Sequence, residues 1–417
     1  MTAELSRWAA DTWRSLDALT NPSTGLPAEN IAAGLAPSSH SRYTSPTNIG
    51  GLLWSAVAAR ELGLIDAAEA VRRCRAAVET LDAMQRDRTS GMFYNWYDEA
   101  TGARLGRMPT GEPIRQFLSS VDNGWLAAGL LVVRNAVPEV SAAARRLLES
   151  MDFGTFHDPV AGELWGGFYA DDRGLTASEN HYGHLMSEPR IASYLGIAFG
   201  QIPSGHYSSL PRGRRKYRGM QVMPTWGGSM FEALMPALLV PEAAWSPVFD
   251  VSHRNTVGCQ ITFGLDEARF GYWGFSPAST PDGGYSEWGL PPIGLAPYEY
   301  PCDVERTAFA VGQVSGWGDG VVTPHAVAMA LLFEPGAAVE CLRRLEGELG
   351  CYGPGGFCDA VGVRSGMVAR RYLTLDQSMV MAALASVLAD GVIQRYCVEG
   401  ELSERVRPLI EAEPALD

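Results

Sequence analysis

Apolar residues return every three or four positions over long stretches of this chain, and strict alternation is rare. The spacing predicts helices over residues 1–20, 48–64, 66–84, 117–134, 140–151, 186–200, 230–239, 307–314, 324–332, 336–349 and 375–388. Connectors rich in Gly, Pro and Trp separate them, the longest over 245–306, and connectors of that length in a compact fold are usually functional. An extended hairpin is expected within 251–275, where VGCQITFG alternates imperfectly. No Ser-rich or charged linker divides the chain and no fixed-period repeat marks a solenoid, so one domain is expected over 1–417. The pattern predicts an all-α fold: antiparallel helical hairpins in a ring, with helix ends and loops forming a cleft at one rim.

Composition narrows the partners. The 417 residues are 46% hydrophobic, enough for a large core, and the formal net charge is −14. That acid surplus argues against nucleic acid and anionic membranes, which are held by clustered Lys and Arg. The one basic run, RGRRKYR over 212–218, reads as a solvated loop. No run of eighteen apolar residues appears that would span a membrane, and the first twenty residues read as an amphipathic helix rather than a leader. A cytoplasmic protein is expected, or a secreted one if a leader has been removed. The seven cysteines, Cys74, Cys259, Cys302, Cys341, Cys351, Cys358 and Cys397, are odd in number and scattered, poor material for a disulfide framework. His181 and His184 lie three apart with no third ligand nearby in sequence, and neither a metal nor another cofactor is expected. Oligomeric state is left open.

Carboxylates recur beside aromatic rings and glycines at predicted helix ends. LSSVDNGWLAAG (118–129) sets Asp122, Asn123 and Trp125 at the start of an apolar helix, a place where helix capping and core filling also suit them. Similar groups stand in GMFYNWYD (91–98), GELWGGFYADD (162–172), SEPRIASY (187–194), MPTWGGSMFEALMP (223–236) and LTLDQSM (373–379). Acids beside stacking rings suit a sugar, whose C–H faces lie on aromatic rings while its hydroxyls bond polar edges.

Taken in order, TSPTNIGGLLWS (44–55), GMFYNWYD (91–98), SSVDNGWLAAGL (119–130), SEPRIASYLGIAFGQIP (187–203), PTWGGSMFEALMP (224–236), GDGVVTPHAVAMALLFEP (318–335) and YLTLDQSMVM (372–381) resemble the blocks of the glycoamylase-like glycosidases. These include the β-1,2-glucanases of glycoside hydrolase family 144 and the related domain of cyclic β-1,2-glucan synthases. The resemblance covers most of 40–390 and implies an (α/α)6 barrel and inverting hydrolysis of a β-linked glucan, β-1,2-glucan first. The chain departs from the family at Trp125, Pro189 and Ser378, and the family's acidic motif ahead of the long loop has only FGLDEARFGYWGFSPAS (263–279) as a counterpart.

Inverting cleavage needs one carboxylic acid to protonate the departing oxygen and one carboxylate to activate water. Glu188, before Pro189 and among Tyr182 and Tyr194, is the expected acid, since desolvation there would raise its pKa; a first-turn structural role is the alternative. Asp122 and Asp376 compete for the base, each also able to serve a helix start, with Asp303 and Asp319 behind them. Glu232 is expected to orient Trp226 and its loop. Expected sugar-binding residues are Asn48, Asn95, Trp96, Tyr97, Trp165, Trp226, Tyr272, Trp273, Gln377 and Tyr285, the last in PDGGYSEWG (281–289), which resembles the family's substrate loop; core packing is the alternative for each ring taken singly. The functions compatible with these residues are a glycosidase, an inverting transglycosylase, or a non-catalytic carbohydrate-binding protein on the same barrel.

Overall fold

The computed structural model describes residues 1–295 and 319–415. The expected helix over 307–314, Cys302 and Asp303 lie outside the described residues. Three long helices, Pro46–Glu61, Ser120–Ala136 and Thr374–Leu388, are apolar on nearly every side and almost wholly buried. The helices Ala67–Ala83, Pro138–Glu149 and Pro335–Leu349 carry one apolar stripe and one charged face. A helix apolar all round must be enclosed and a striped one can face water, so the two groups form an inner and an outer layer.

Contacts among the inner helices close on themselves. Pro46–Glu61 packs on Ser120–Ala136, which packs on Arg190–Ala198. From Arg190 the guanidinium reaches the carbonyls of Glu232 and Ala233 in Met230–Leu234. That short helix packs on Pro324–Met329, Pro324–Met329 on Thr374–Leu388, and Thr374–Leu388 back on Pro46–Glu61. Gly50 and Gly129 permit the first of these approaches: a Cβ at Gly50 would stand 2.4 Å from the Trp125 carbonyl oxygen, and one at Gly129 2.5 Å from the Gly50 carbonyl oxygen. One contiguous apolar cluster runs from Leu5 to Ile410.

The expected hairpin within 251–275 is replaced by a helix, Pro247–Thr262, followed by a wider turn over Phe263–Glu267. Its buried side includes Phe249, Ser252, His253, Thr256 and Gln260, so the stripe is present at helical spacing but half polar, and apolar periodicity does not reveal it. Short helices Glu242–Trp245, Val392–Val398, Glu401–Arg405 and Arg407–Glu411 were likewise not expected. The strands are two to five residues long and several lock the starts of inner helices. Asn30–Ala32 pairs antiparallel with Arg371–Leu373, setting Glu29 beside the first turn of Thr374–Leu388. Phe117–Ser119 pairs with Gly167–Asp171 just ahead of Ser120–Ala136.

Behind the inner wall, Arg190 and Glu242 form a fully buried two-pronged pair at 2.7 and 2.9 Å. Tyr194 Oη donates to the same carboxylate at 2.8 Å and His253 Nε2 lies 3.1 Å from it. Burial alone would raise the Glu242 pKa, but Arg190 and His253 outweigh it and hold it at about 2.

Candidate active site

The N-terminal ends of several inner helices open on one cleft of about 450 Å³. Its lining includes the carboxyl groups of Glu29, Asp122, Glu188, Glu232 and Glu287, and the rings of Trp96, Trp125, Trp226, Phe231 and Tyr285. Of the residues expected from the sequence, the structure brings together here Asn48, Trp96, Asp122, Glu188, Trp226 and Tyr285.

Asp122 is not the helix cap. Ser119 holds that position, its Oγ accepting from the Asp122 backbone N–H at 3.1 Å, and Asp122 occupies the first turn with its side chain released toward the cleft. Asn123, also expected at the cap, instead fixes the loop before it: its Oδ1 accepts from Phe93 N at 2.8 Å and its Nδ2 donates to the Phe93 and Ser119 carbonyls at 3.0 and 2.8 Å. That loop presents Asn95 and Trp96. Thr47 Oγ1 donates to Asp122 Oδ1 at 2.6 Å, and Asn95, which is not among the cleft-lining residues, stands near enough to oppose the rise in the Asp122 pKa. Burial raises the Asp122 pKa, and the neighbouring polar groups of Ser119, Thr47 and Asn95 oppose the rise.

Glu188 precedes the Arg190–Ala198 helix in a tight turn. Burial raises its pKa well above the carboxylate range, and the nearby charges of Asp122 and Glu232 add to the rise. Its Oε2 and Trp125 Nε1 are both buried without a hydrogen-bond partner, and the indole opposes the rise. Glu232 accepts from Trp226 N, Gly227 N and Ser229 Oγ at 3.0, 3.1 and 2.8 Å, which fixes the Trp226 loop as expected.

Glu29 escaped sequence reasoning. It lies in an irregular loop with no aromatic or helical signal, yet it lines the cleft, accepts a hydrogen bond from Asn48 Nδ2, and is pushed up to about 7 by burial, with Asp122 adding to the rise. Asn180, His181 and Tyr182 of the segment before Glu188 were also missed as lining residues. Trp165 is one layer back, stacked on His181 at 3.6 Å between ring centroids.

Four expected binding residues lie in the packed interior instead. Tyr97 is fully buried, with its hydroxyl donating to the Gln85 carbonyl at 2.6 Å and accepting from Tyr94 N. Tyr272 donates to Glu348 at 2.5 Å on the outer layer, and Trp273 is 3% exposed in the main core. Gln377 joins Ser15 Oγ to the Phe357 carbonyl. In each case a neighbour in sequence, or glycine beside it, suggested a groove, while tertiary packing turned the side chain inward.

Asp376 does not line the cleft. It is buried behind Leu375, 3.5 Å from His325 Nδ1, and its pKa is raised well above the carboxylate range by burial and by Asp359. Burial lowers the His325 pKa to about 4 and keeps the ring neutral. Asp319 is committed elsewhere, accepting from Ser365 N and Oγ at 2.6 Å each.

A carboxyl group whose pKa burial raises, sharing a ring-lined cleft with a second carboxyl group, is suited to acid–base chemistry on a polyhydroxylated ligand. The chain belongs to the glycoamylase family, whose model, described as "Putative glucoamylase", matches residues 180–399. Residues 7–189 match a second model, for a family of unknown function, DUF3131. In sequence the chain is 29% identical over 289 residues to the cyclic β-(1,2)-glucan synthase NdvB of Rhizobium meliloti (strain 1021), a match covering 66% of this chain and 9% of that protein. In fold it is similar to a Bacteroides uniformis protein given the same description as the family (TM-score 0.79, 16% identity, 98% of this chain and 97% of that one). It is similar also to the endo-β-1,2-glucanase of Chitinophaga pinensis in complex with sophorotriose and glucose (TM-score 0.77, 14% identity, 99% and 98%).

Proposed function

We propose that this protein is an inverting glycoside hydrolase of β-1,2-linked glucan, built as a single (α/α)6 barrel, with Glu188 as general acid and Asp122 as general base. The observation that carries the reading is the pair itself: Glu188, with a buried unpaired oxygen and a raised pKa, shares the cleft with Asp122, which Thr47 orients. Glu188 gives its proton to the departing glycosidic oxygen as the bond to the anomeric carbon breaks. Asp122 takes a proton from the water that attacks the opposite face, so the product carries inverted configuration. Trp96, Trp226 and Tyr285 offer stacking faces to the sugar rings, and Asn48 and Asn180 offer polar edges. Asp122 is preferred to Asp376 because only the former lines the cleft.

The linkage rests on the β-1,2-glucan proteins to which the chain is similar. The test is incubation of the purified protein with β-1,2-, β-1,3- and β-1,4-linked glucans, with products read by chromatography. Selective shortening of the β-1,2-glucan supports the reading, and no cleavage of any of the three overturns it in favour of a carbohydrate-binding protein. The match to a cyclic glucan synthase favours a second reading, inverting transfer to a sugar hydroxyl in place of water. Longer or cyclic products in the same assay would establish that reading.

A further inference from the structure

Beneath the cleft, three side chains that the acid–base pair leaves unused converge from distant parts of the chain. His325 stands in the first turn of Pro324–Met329, Asp359 just ahead of the strand Ala360–Gly362, and Asp376 in the first turn of Thr374–Leu388. One donor atom from each lies within 4.8 Å of the other two, and His325 Nδ1 is 3.5 Å from Asp376 Oδ2. None of the three residues is more than 5% exposed. His325 Nδ1, Asp359 Oδ1 and Asp376 Oδ2 are each buried without a hydrogen-bond partner.

The opposite edge of two of these groups is anchored. Ser276 Oγ lies 3.0 Å from His325 Nε2, and Ser279 N donates to Asp359 Oδ2 at 2.9 Å. With Nε2–H given to Ser276, the imidazole turns a lone pair toward two carboxylates, an arrangement of three electron-rich atoms that repel unless something positive sits among them. Hydrogen bonds on the far side that fix ring and carboxylate orientation are the usual support of a metal ligand. We propose that His325, Asp359 and Asp376 form a binding site for one divalent cation of the zinc class. An imidazole nitrogen with two carboxylate oxygens suits Zn²⁺ and its neighbours, whereas Ca²⁺ and Mg²⁺ favour oxygen-only ligand sets. The site ties together the starts of two adjacent inner helices and the strand between them, so the bound ion stabilises the floor of the cleft.

The alternative occupant is a proton shared between the two carboxylates, and the experiment separates them. The full chain is stripped with a chelator, returned to metal-free buffer, and given Zn²⁺, Co²⁺ or Ca²⁺ alone; after desalting, metal content is measured by mass spectrometry and thermal unfolding is followed. The proposal expects about one Zn²⁺ per chain, a higher Tm with Zn²⁺ than with Ca²⁺, and a visible d–d absorption from bound Co²⁺. Asp359→Asn and His325→Gln should weaken Zn²⁺ binding at least about 10-fold, the size that loss of even an outer-shell partner brings. Wild-type protein that retains no zinc, stays colourless with Co²⁺ and unfolds at an unchanged Tm overturns the site and leaves the shared proton. These readouts use the unmodified chain and no glucan, so they hold whether or not the variants fold and whether or not the glucanase reading survives.

Discussion

Thr47 and Asp122, seventy-five residues apart, are joined by a 2.6 Å hydrogen bond that ties the first turn of Pro46–Glu61 to the first turn of Ser120–Ala136. The bond leaves the second carboxylate oxygen for the cleft. It also makes the orientation of Asp122 a property of how two inner helices meet, which the Gly50 and Gly129 approaches determine in turn.

Replacing Glu188 with Gln should lower kcat on an unactivated β-1,2-glucan by about 10²–10⁴-fold, the usual contribution of a positioned acid, while oligosaccharide binding and Tm change little. Because the acid works protonated and its pKa is raised, wild-type activity should decline as pH rises through that elevated value. The decline should be absent from the residual activity of Glu188→Gln. Near wild-type turnover in the variant would return Glu188 to a structural role.

Asp122→Asn should abolish the inverting reaction with little loss of stability, since Ser119 and not Asp122 caps the helix. Asp376→Asn should act chiefly on stability and metal content, because Asp376 stands behind the cleft wall. Proton NMR of the first product, taken before mutarotation, reads both turnover and configuration. Retention of configuration, or full activity in Asp122→Asn, would displace Asp122 as base.

Glu29 gives a prediction about stability and pH. Its folded pKa is raised to about 7 from an ordinary value of 4.5, so the folded chain holds a proton that the unfolded chain has lost between those values. The stabilisation is complete below about 4.5 and is lost as pH rises through about 7, with a slope of at most about 1.4 kcal/mol per pH unit. Glu29→Gln should flatten that part of the profile of Tm against pH. An identical slope in the variant would show that Glu29 is ionised in the fold.

Arg190→Ala should destabilise the fold by about 3–5 kcal/mol, because Glu242 would be left charged and fully buried without its partner. The double variant Arg190→Met, Glu242→Leu should lose less than the single one. Urea unfolding of both, compared at a common pH, checks the order.

The helices legible in the sequence were those whose burial is carried by apolar residues, as in Ser120–Ala136 and Ala67–Ala83. Pro247–Thr262 was hidden because Ser252, His253, Thr256 and Gln260 do the packing on its inner side; Ser252, His253 and Gln260 bond to partners that only the fold supplies, and Thr256 bonds back to the Ser252 carbonyl of the same helix. In the cleft, Asp122, Glu188 and Trp226 were legible because an acid or a ring stands beside glycine or proline at a helix start. Glu29 offered no such local signal: strand pairing between Asn30 and Leu373 brings it into place. Tyr97 and Trp273 show the opposite failure, since an aromatic beside other rings or a glycine reads alike whether it faces a ligand or the core.

The placement of Asp122, Glu188, Glu232 and Asp376 at the beginnings of inner helices has an electrostatic consequence. Aligned peptide dipoles give each helix start roughly half a positive charge, so several such starts converging on one face create a fixed positive field without any cationic side chain. Among the described residues, none of those lining the cleft is Lys or Arg. The carboxyl groups of Asp122 and Glu188 can therefore stand in one cleft without being locked into ion pairs with cationic side chains there.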